Sequence, residues 1–180
     1  VKDGAQDVDP SKPVTVETNG KLKSVTMTNE MGVEVKEKLS KDAKTWSTAE
    51  DLGYNHTYSI VASDKDGNKK NLSFSTSQAA GVAQVAMTPI PGSEVGVGQV
   101  IGVNFGTYIT DRKAAEDTIT VKTDPAVEGA FYWIDSREVH WRPKEYWEPG
   151  TEVSVKVNIY GQQLSSGLYG AQDSETNFTI

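Results

Sequence analysis

The protein has 180 residues, 36% of them apolar and 24% charged, and its 18 basic and 25 acidic side chains leave a net charge of −7. That mixture suits a folded globular chain and is too apolar for a disordered one, and no stretch approaches the ~18 consecutive apolar residues of a membrane-crossing helix. The absence of cysteine removes disulfides, zinc–thiolate sites and every cysteine-nucleophile mechanism, and two histidines, His56 and His140, leave little for histidine-centred chemistry.

At roughly 150 residues per domain, the length admits one large domain or two small ones. Residues 1–80 carry 11 basic and 12 acidic side chains, residues 81–180 carry 7 and 13, so neither half is basic. Binding to nucleic acid or to an anionic membrane surface is therefore not expected. Val1-Lys2-Asp3-Gly4 has neither a basic n-region nor an apolar h-region, so any export signal or lipid anchor is expected to have been removed.

From the N-terminus onward the dominant period is two. Val14-Thr15-Val16, Val25-Thr26-Met27, Val33-Glu34-Val35, Tyr58-Ser59-Ile60-Val61 and Leu72-Ser73-Phe74 alternate in the first half. Ile119-Thr120-Val121, Val139-His140-Trp141, Val153-Ser154-Val155-Lys156-Val157 and Asn177-Phe178-Thr179 do so in the second. Such alternation buries one face of each strand and wets the other, as antiparallel sandwiches require. Asn19-Gly20, Asp66-Gly67-Asn68, Pro91-Gly92, Asp135-Ser136 and Pro149-Gly150 supply turns, and Asp66-Gly67 marks a tight hairpin. Only Thr110 to Asp117 reads as helical, with Thr110 as its N-cap.

An internal repeat sets the domain count. Trp46, Leu52 and Thr57 precede one alternating strand; Trp141, Trp147 and Thr151 precede another, and each half closes on a phenylalanine strand, at Phe74 and Phe178. The spacing between copies is close to the ~100 residues of one immunoglobulin-like sandwich. The expected fold is all-β: two tandem immunoglobulin-like β-sandwich domains, at 1–78 and 82–180, with residues 79–81 as linker.

The second half carries Val127-Glu128-Gly129-Ala130-Phe131-Tyr132-Trp133, Arg137 to Pro143, Trp147-Glu148-Pro149-Gly150-Thr151 and Asn158-Ile159-Tyr160-Gly161. Through these it resembles the immunoglobulin-like domain that precedes the catalytic domain of actinobacterial L,D-transpeptidases, the mycobacterial and corynebacterial enzymes that cross-link peptidoglycan. Residues 14–76 resemble the more variable first domain of the same proteins, through Gly20-Lys21-Leu22, Trp46, Leu52-Gly53-Tyr54 and Thr57-Tyr58. The resemblance implies a catalytic Ser-His-Gly-Cys motif that this cysteine-free chain lacks, so no catalytic residue carries over. It implies a non-catalytic spacer and docking region of an exported cell-wall enzyme. The partners it implies are that enzyme's catalytic domain and peptidoglycan, with membrane contact only through a removed N-terminal anchor. The alternative is a free-standing glycan-binding module of the cell envelope.

Candidate sites are weighed against that frame. Trp133, Trp141 and Trp147, with Phe131 and Tyr146, are either a sugar-stacking platform or, by their alternation with Val139, the sandwich core. His140 and Arg142 fall on the outer face of the same strand, where His140 is expected to be solvated. Asp135, Ser136, Glu138 and His140 are residue types of a hydrolytic triad, crowded into one hairpin where triad members do not converge. Asp64 to Asn68 lacks calcium-loop spacing, having glycine fourth and Ser75 twelfth. No metal site and no cofactor is expected. The segment Tyr160 to Ser174 brings Leu164, Leu168 and Tyr169 onto a long glycine-rich connection, a candidate docking surface for the catalytic domain.

Overall fold

A computed structural model describes all 180 residues. The chain divides into two compact units, Val1–Ala79 and Ala80–Ile180. The first holds β1 (Ala5–Val8), β2 (Thr15–Glu17), β3 (Leu22–Asn29), β4 (Glu37–Leu39), β5 (Thr45–Thr48), β6 (Thr57–Asp64) and β7 (Lys69–Thr76). They form one sheet in the order β1-β7-β6-β3 and a second in the order β2-β5-β4. Tyr58, Ile60 and Ala62 of β6 point inward to meet Trp46 of β5 and Phe74 of β7 in a single core. In β3 the buried positions are Leu22, Val25 and Met27, a spacing of three and then two. An irregularity in the β3–β6 register between Leu22 and Ser24 resets the phase, so all three face the core.

The β6–β7 hairpin turns where Asp66-Gly67 predicts it. Gly67 lies at φ +92°, and the Asp64 carboxylate accepts from the backbone N–H groups of Asp66 and Asn68 at 3.0 and 2.9 Å. Val33-Glu34-Val35 departs from its alternating pattern: it makes only an isolated bridge from Glu34 to Thr28, and Val33 is exposed. Asn29 explains the loss, since its side-chain oxygen captures the N–H groups of Met31 and Val33 and bends the chain.

The end of the first unit is tied to Asn55, whose side chain accepts from the Ala79 N–H at 2.8 Å and donates to the Ala79 carbonyl at 3.1 Å. Ala80 and Gly81 donate to the Gly167 carbonyl of the second unit. Of residues 79–81, read from sequence as linker, Ala79 is thus bonded within the first unit, and Gly81 opens the second unit's first strand.

The second unit holds β8 (Gly81–Ala83), β9 (Ala86–Thr88), β10 (Ile101–Asn104), α1 (Arg112–Asp117), β11 (Ile119–Asp124), β12 (Gly129–Trp133), β13 (Glu138–Pro143), β14 (Glu152–Val157), β15 (Gln163–Ser165), β16 (Leu168–Gly170) and β17 (Ser174–Thr179). Sheets β12-β13-β10-β9 and β11-β14-β17 enclose one core, with a small third sheet β15-β16-β8 beside them. Helix α1 begins one residue later than the sequence suggests. Its cap is Asp111, whose carboxylate accepts from the Ala114 N–H, while Thr110 hydrogen-bonds the Ser165 hydroxyl.

Two glycines mark close approaches. A Cβ on Gly129 would overlap the Trp141 ring, and one on Gly170 would overlap the Ile159 carbonyl. Replacing Trp141 by alanine is expected to destabilise the second unit by ~3–5 kcal/mol through lost burial and a residual cavity. Gly170→Ala is expected to cost ~1–3 kcal/mol, because backbone rather than a flexible side chain must move. Urea denaturation of each variant measures both values, and an unchanged midpoint for either contradicts this packing.

Candidate functional site

The inward-pointing residues of β12 and β13 and the segment after β13 place the aromatic set. Trp141 is 8% exposed, and its ring packs against that of Trp147 with 5.6 Å between centroids. Trp147 donates its indole N–H to the Gln99 carbonyl at 2.7 Å. Trp133 is half-buried; it stacks on Phe105 at 6.0 Å, donates to the Glu116 carboxylate at 2.7 Å, and lies under the Arg112 guanidinium at 5.2 Å. Phe131 packs half-buried against the same core. These rings hold the sandwich together and offer no flat exposed platform to a sugar. Tyr146, 81% exposed, is the member of the set that faces solvent.

His140 differs from the solvated side chain expected of it. Only 19% of its side chain is exposed, Nε2 lies 2.7 Å from the Glu138 carboxylate, and Nδ1 is buried without a partner. The other Glu138 oxygen accepts from the Asn104 amide at 3.0 Å. Gly102 lies beside the ring. It sits directly across from His140 in the β10–β13 pairing, and a Cβ there would come within 3.6 Å of the imidazole and 2.6 Å of the Thr88 hydroxyl. The close approach there is to Thr88, while the imidazole would meet a Cβ at ordinary contact distance. Gly102, Asn104 and Thr88 are the participants that sequence reasoning passes over; the one available signal is glycine inside an apolar strand, which marks a close approach.

Of the triad-type residues, Glu138 and His140 meet through their side chains, and Asp135 and Ser136 do not join them. The Asp135 carboxylate accepts from the N–H groups of Arg137 and Glu138 at 2.7 and 2.9 Å, a turn-forming use that holds it below the ordinary aspartate range. Asp64 is likewise held low by its hairpin bonds, chiefly to the Asn68 side chain. No group of three or more His, Asp or Glu side chains is placed to hold a metal ion.

Segment 160–174 is more ordered than a free loop. It folds as the β15–β16 hairpin, turning at Gly167 (φ +69°), and β16 runs parallel to β8 with Leu168 opposite Gly81 and Tyr169 opposite Val82. Leu164 is 0% exposed, a core residue of its own unit and unavailable to a partner. Leu168 and Tyr169 are half-buried, with Leu168 leaning on the core.

The bacterial Ig domain family matches residues 5–163 of the chain. L,D-transpeptidase 2 of Mycobacterium tuberculosis (strain CDC 1551 / Oshkosh) is 44% identical over 184 residues, covering 100% of this chain and 45% of that protein. L,D-transpeptidase 5 of Mycobacterium tuberculosis (strain ATCC 25618 / H37Rv) is 35% identical over 187 residues, covering 99% and 42%. The chain therefore spans less than half the length of these relatives. Among solved structures, Dpr2 Ig1-Ig2, from a complex with DIP-Theta Ig1-Ig3, covers 99% of this chain and 93% of that one with a TM-score of 0.55. At 8% identity that likeness concerns the fold alone.

The Asp135 turn yields a pH dependence with a definite sign. Its folded-state value lies below the ordinary 3.8, so its contribution is complete above that value and disappears as pH falls through the folded one. The difference in urea midpoint between the wild type and Asp135→Asn should be largest near neutral pH and shrink toward pH ~2–3. A difference independent of pH would show that the carboxylate charge is not what the turn uses.

Proposed function

The chain belongs to the bacterial Ig domain family, and from that premise we propose that it is the non-catalytic spacer and docking region of a cell-wall L,D-transpeptidase. The observation that carries the reading is the 44% identity running through both units to a single such enzyme. The chemistry agrees with it. Transpeptidation of the kind the resemblance implies needs a thiolate to attack the peptide carbonyl and carry the acyl group. The chain has no cysteine, and no serine here meets a histidine held by a third group. His140 engages Glu138. His56 engages Glu30 in the other unit.

What the units supply is dimension. A compact domain of about 90 residues is roughly 30 Å across, so each one adds reach to an enzyme held at the cell envelope. The net charge of −7 keeps such a part off anionic lipid. Docking to the catalytic part falls to the β15–β16 hairpin through Leu168 and Tyr169, with Leu164 serving only to anchor the hairpin from below.

Three measurements test this proposal. Mass spectrometry of the 180-residue chain after carbapenem treatment should show no adduct, and a mass shift would overturn the non-catalytic reading. In the full-length enzyme, exchanging the first unit for an unrelated sandwich of equal size should preserve cross-linking in cells, whereas a binding module would not survive the exchange. Leu168→Asp in that enzyme should loosen the hold on the catalytic part and leave the fold of the second unit unchanged. Unaltered pairing would remove the hairpin from the docking role.

A further inference from the structure

Strand β12 lies at the edge of its sheet and pairs on one side only, with β13. The bonds at its two ends define which backbone groups are free. Lys144 donates to the Glu128 carbonyl and Ile134 to the Glu138 carbonyl. With Ala130 opposite Arg142 and Tyr132 opposite His140, the even-numbered residues make the ladder bonds to β13. The N–H and C=O groups of Gly129, Phe131 and Trp133 therefore point outward from the sheet. Gly129 is exposed although its Cβ direction is filled by the Trp141 ring, so what it shows to solvent is that backbone edge. None of the usual edge protections is present: the strand has no proline, no lysine, no bulge and no inward charge.

The sequence of this edge, Gly129-Ala130-Phe131-Tyr132-Trp133, is graded in size about its centre. Antiparallel pairing with itself through Phe131 puts each small residue against a large ring. Gly129 meets Trp133 and Ala130 meets Tyr132, while Phe131 meets its own copy. In that register the outward groups of Gly129, Phe131 and Trp133 form the hydrogen-bonded pairs. Tyr132, 63% exposed in the single chain, gains a covered position over a methyl group. A groove of about 590 Å³ bordered by Gly129, Phe131, Tyr132 and Pro143 lies where the partner's rings arrive. The Arg142 side chain, on the β13 neighbour of Ala130, is exposed, and its guanidinium enters no ion pair or hydrogen bond in the chain. Across the new pair it faces the partner's Tyr132, a cation–π arrangement. One step outward, Glu128 meets Ile134, so no like charges are opposed.

We propose that the free edge of β12 pairs antiparallel with β12 of a second copy of this chain, centred on Phe131, joining two four-stranded sheets across a twofold axis. The contact is isologous and closes on itself, so it makes dimers and not filaments. Its five residue pairs are few for an interface, and the two net negative charges repel, although physiological salt screens them beyond ~8 Å. The association is accordingly weak.

Sedimentation equilibrium of the 180-residue chain in 150 mM salt tests it, with a dimer expected to grow in between about 10 µM and 1 mM. A chain that stays monomeric over that range overturns the proposal. Ala130→Lys combined with Tyr132→Lys changes two exposed side chains and opposes like charges, and it should weaken association about tenfold or more while the melting temperature stays close to wild type. Tyr146→Lys, away from the edge, should change nothing. A dimer that survives the double substitution assigns dimerisation to another surface. Because the chain has no cysteine, the register can be read directly. Under mild oxidation, a mixture of Ala130→Cys and Tyr132→Cys chains should form the mixed disulfide well ahead of either symmetric one. The three disulfides in the statistical 1:2:1 proportion, or a symmetric one in excess, would refute pairing through Phe131.

Discussion

The arrangement of the second unit rests on the Trp141 ring lying against the backbone of Gly129. In an antiparallel pair, a large ring on one strand and glycine on its neighbour let the ring cover the neighbouring main chain, burying apolar surface that would otherwise compete with a second side chain. Here the contact sets three things. It fixes the tilt at which Trp141 meets Trp147, and Trp147 in turn pins the segment from Val97 to Gln99 through its backbone and indole N–H groups. It draws β12 close over the core edge, so that Phe131 and Trp133 reach inward to Phe105 and α1. It also leaves the far side of β12 bare, because the residue there has no side chain with which to cover its own backbone.

The two-residue period of the strands explains how much of this is legible in the amino-acid sequence. Alternation identifies Val139 and Trp141 as inner-face residues, as it does Tyr58 and Ile60, and the structure buries all four. The reading falters where local side chain–backbone bonds compete with the pattern. Asn29 bends Val33-Glu34-Val35 out of a strand, and Asp111 captures the helix start one residue after Thr110. It falters again where cover comes from a neighbouring strand. His140 lies on the outer face as alternation requires, yet its contact with Glu138 and its place beside Gly102 leave it largely covered, and alternation carries no information about a neighbouring strand that is nearly forty residues away in the chain. Burial of Leu164 has the same origin: three-residue strands are too short for a period to declare itself.

The polar groups of the outer faces are largely engaged with one another or with backbone. Glu138 binds His140 and Asn104, Asp135 closes a turn, and Lys156 meets Glu175 across β14 and β17. A reactive centre needs a group held away from its easiest partner, by burial or by competing charges, so that it stays available to substrate. Carboxylates whose values are lowered by nearby N–H groups are the opposite case, because they are stabilised in a charged, occupied state. Such a surface accords with the spacer role proposed above.

On the proposed reading, a thiolate site and a sandwich unit place opposite demands on the parts of one enzyme. A cysteine nucleophile works by keeping its thiolate partly unsatisfied, and such a site is costly to the stability of the domain that holds it. Immunoglobulin-like units carry no such constraint. Their cores here are continuous, with Trp46, Phe74, Phe105 and Val155 almost wholly buried, and their chains enter and leave through hydrogen-bonded segments such as Asn55 with Ala79. A module of this kind can change its surface, including an edge strand or a short hairpin, without disturbing a reaction performed elsewhere. The open features of the second unit lie on that surface: β12 with its bare edge, the exposed Tyr146, and the β15–β16 hairpin. Under the proposed spacer role, changes on such a surface alter partner choice or assembly and leave the chemistry to the catalytic part.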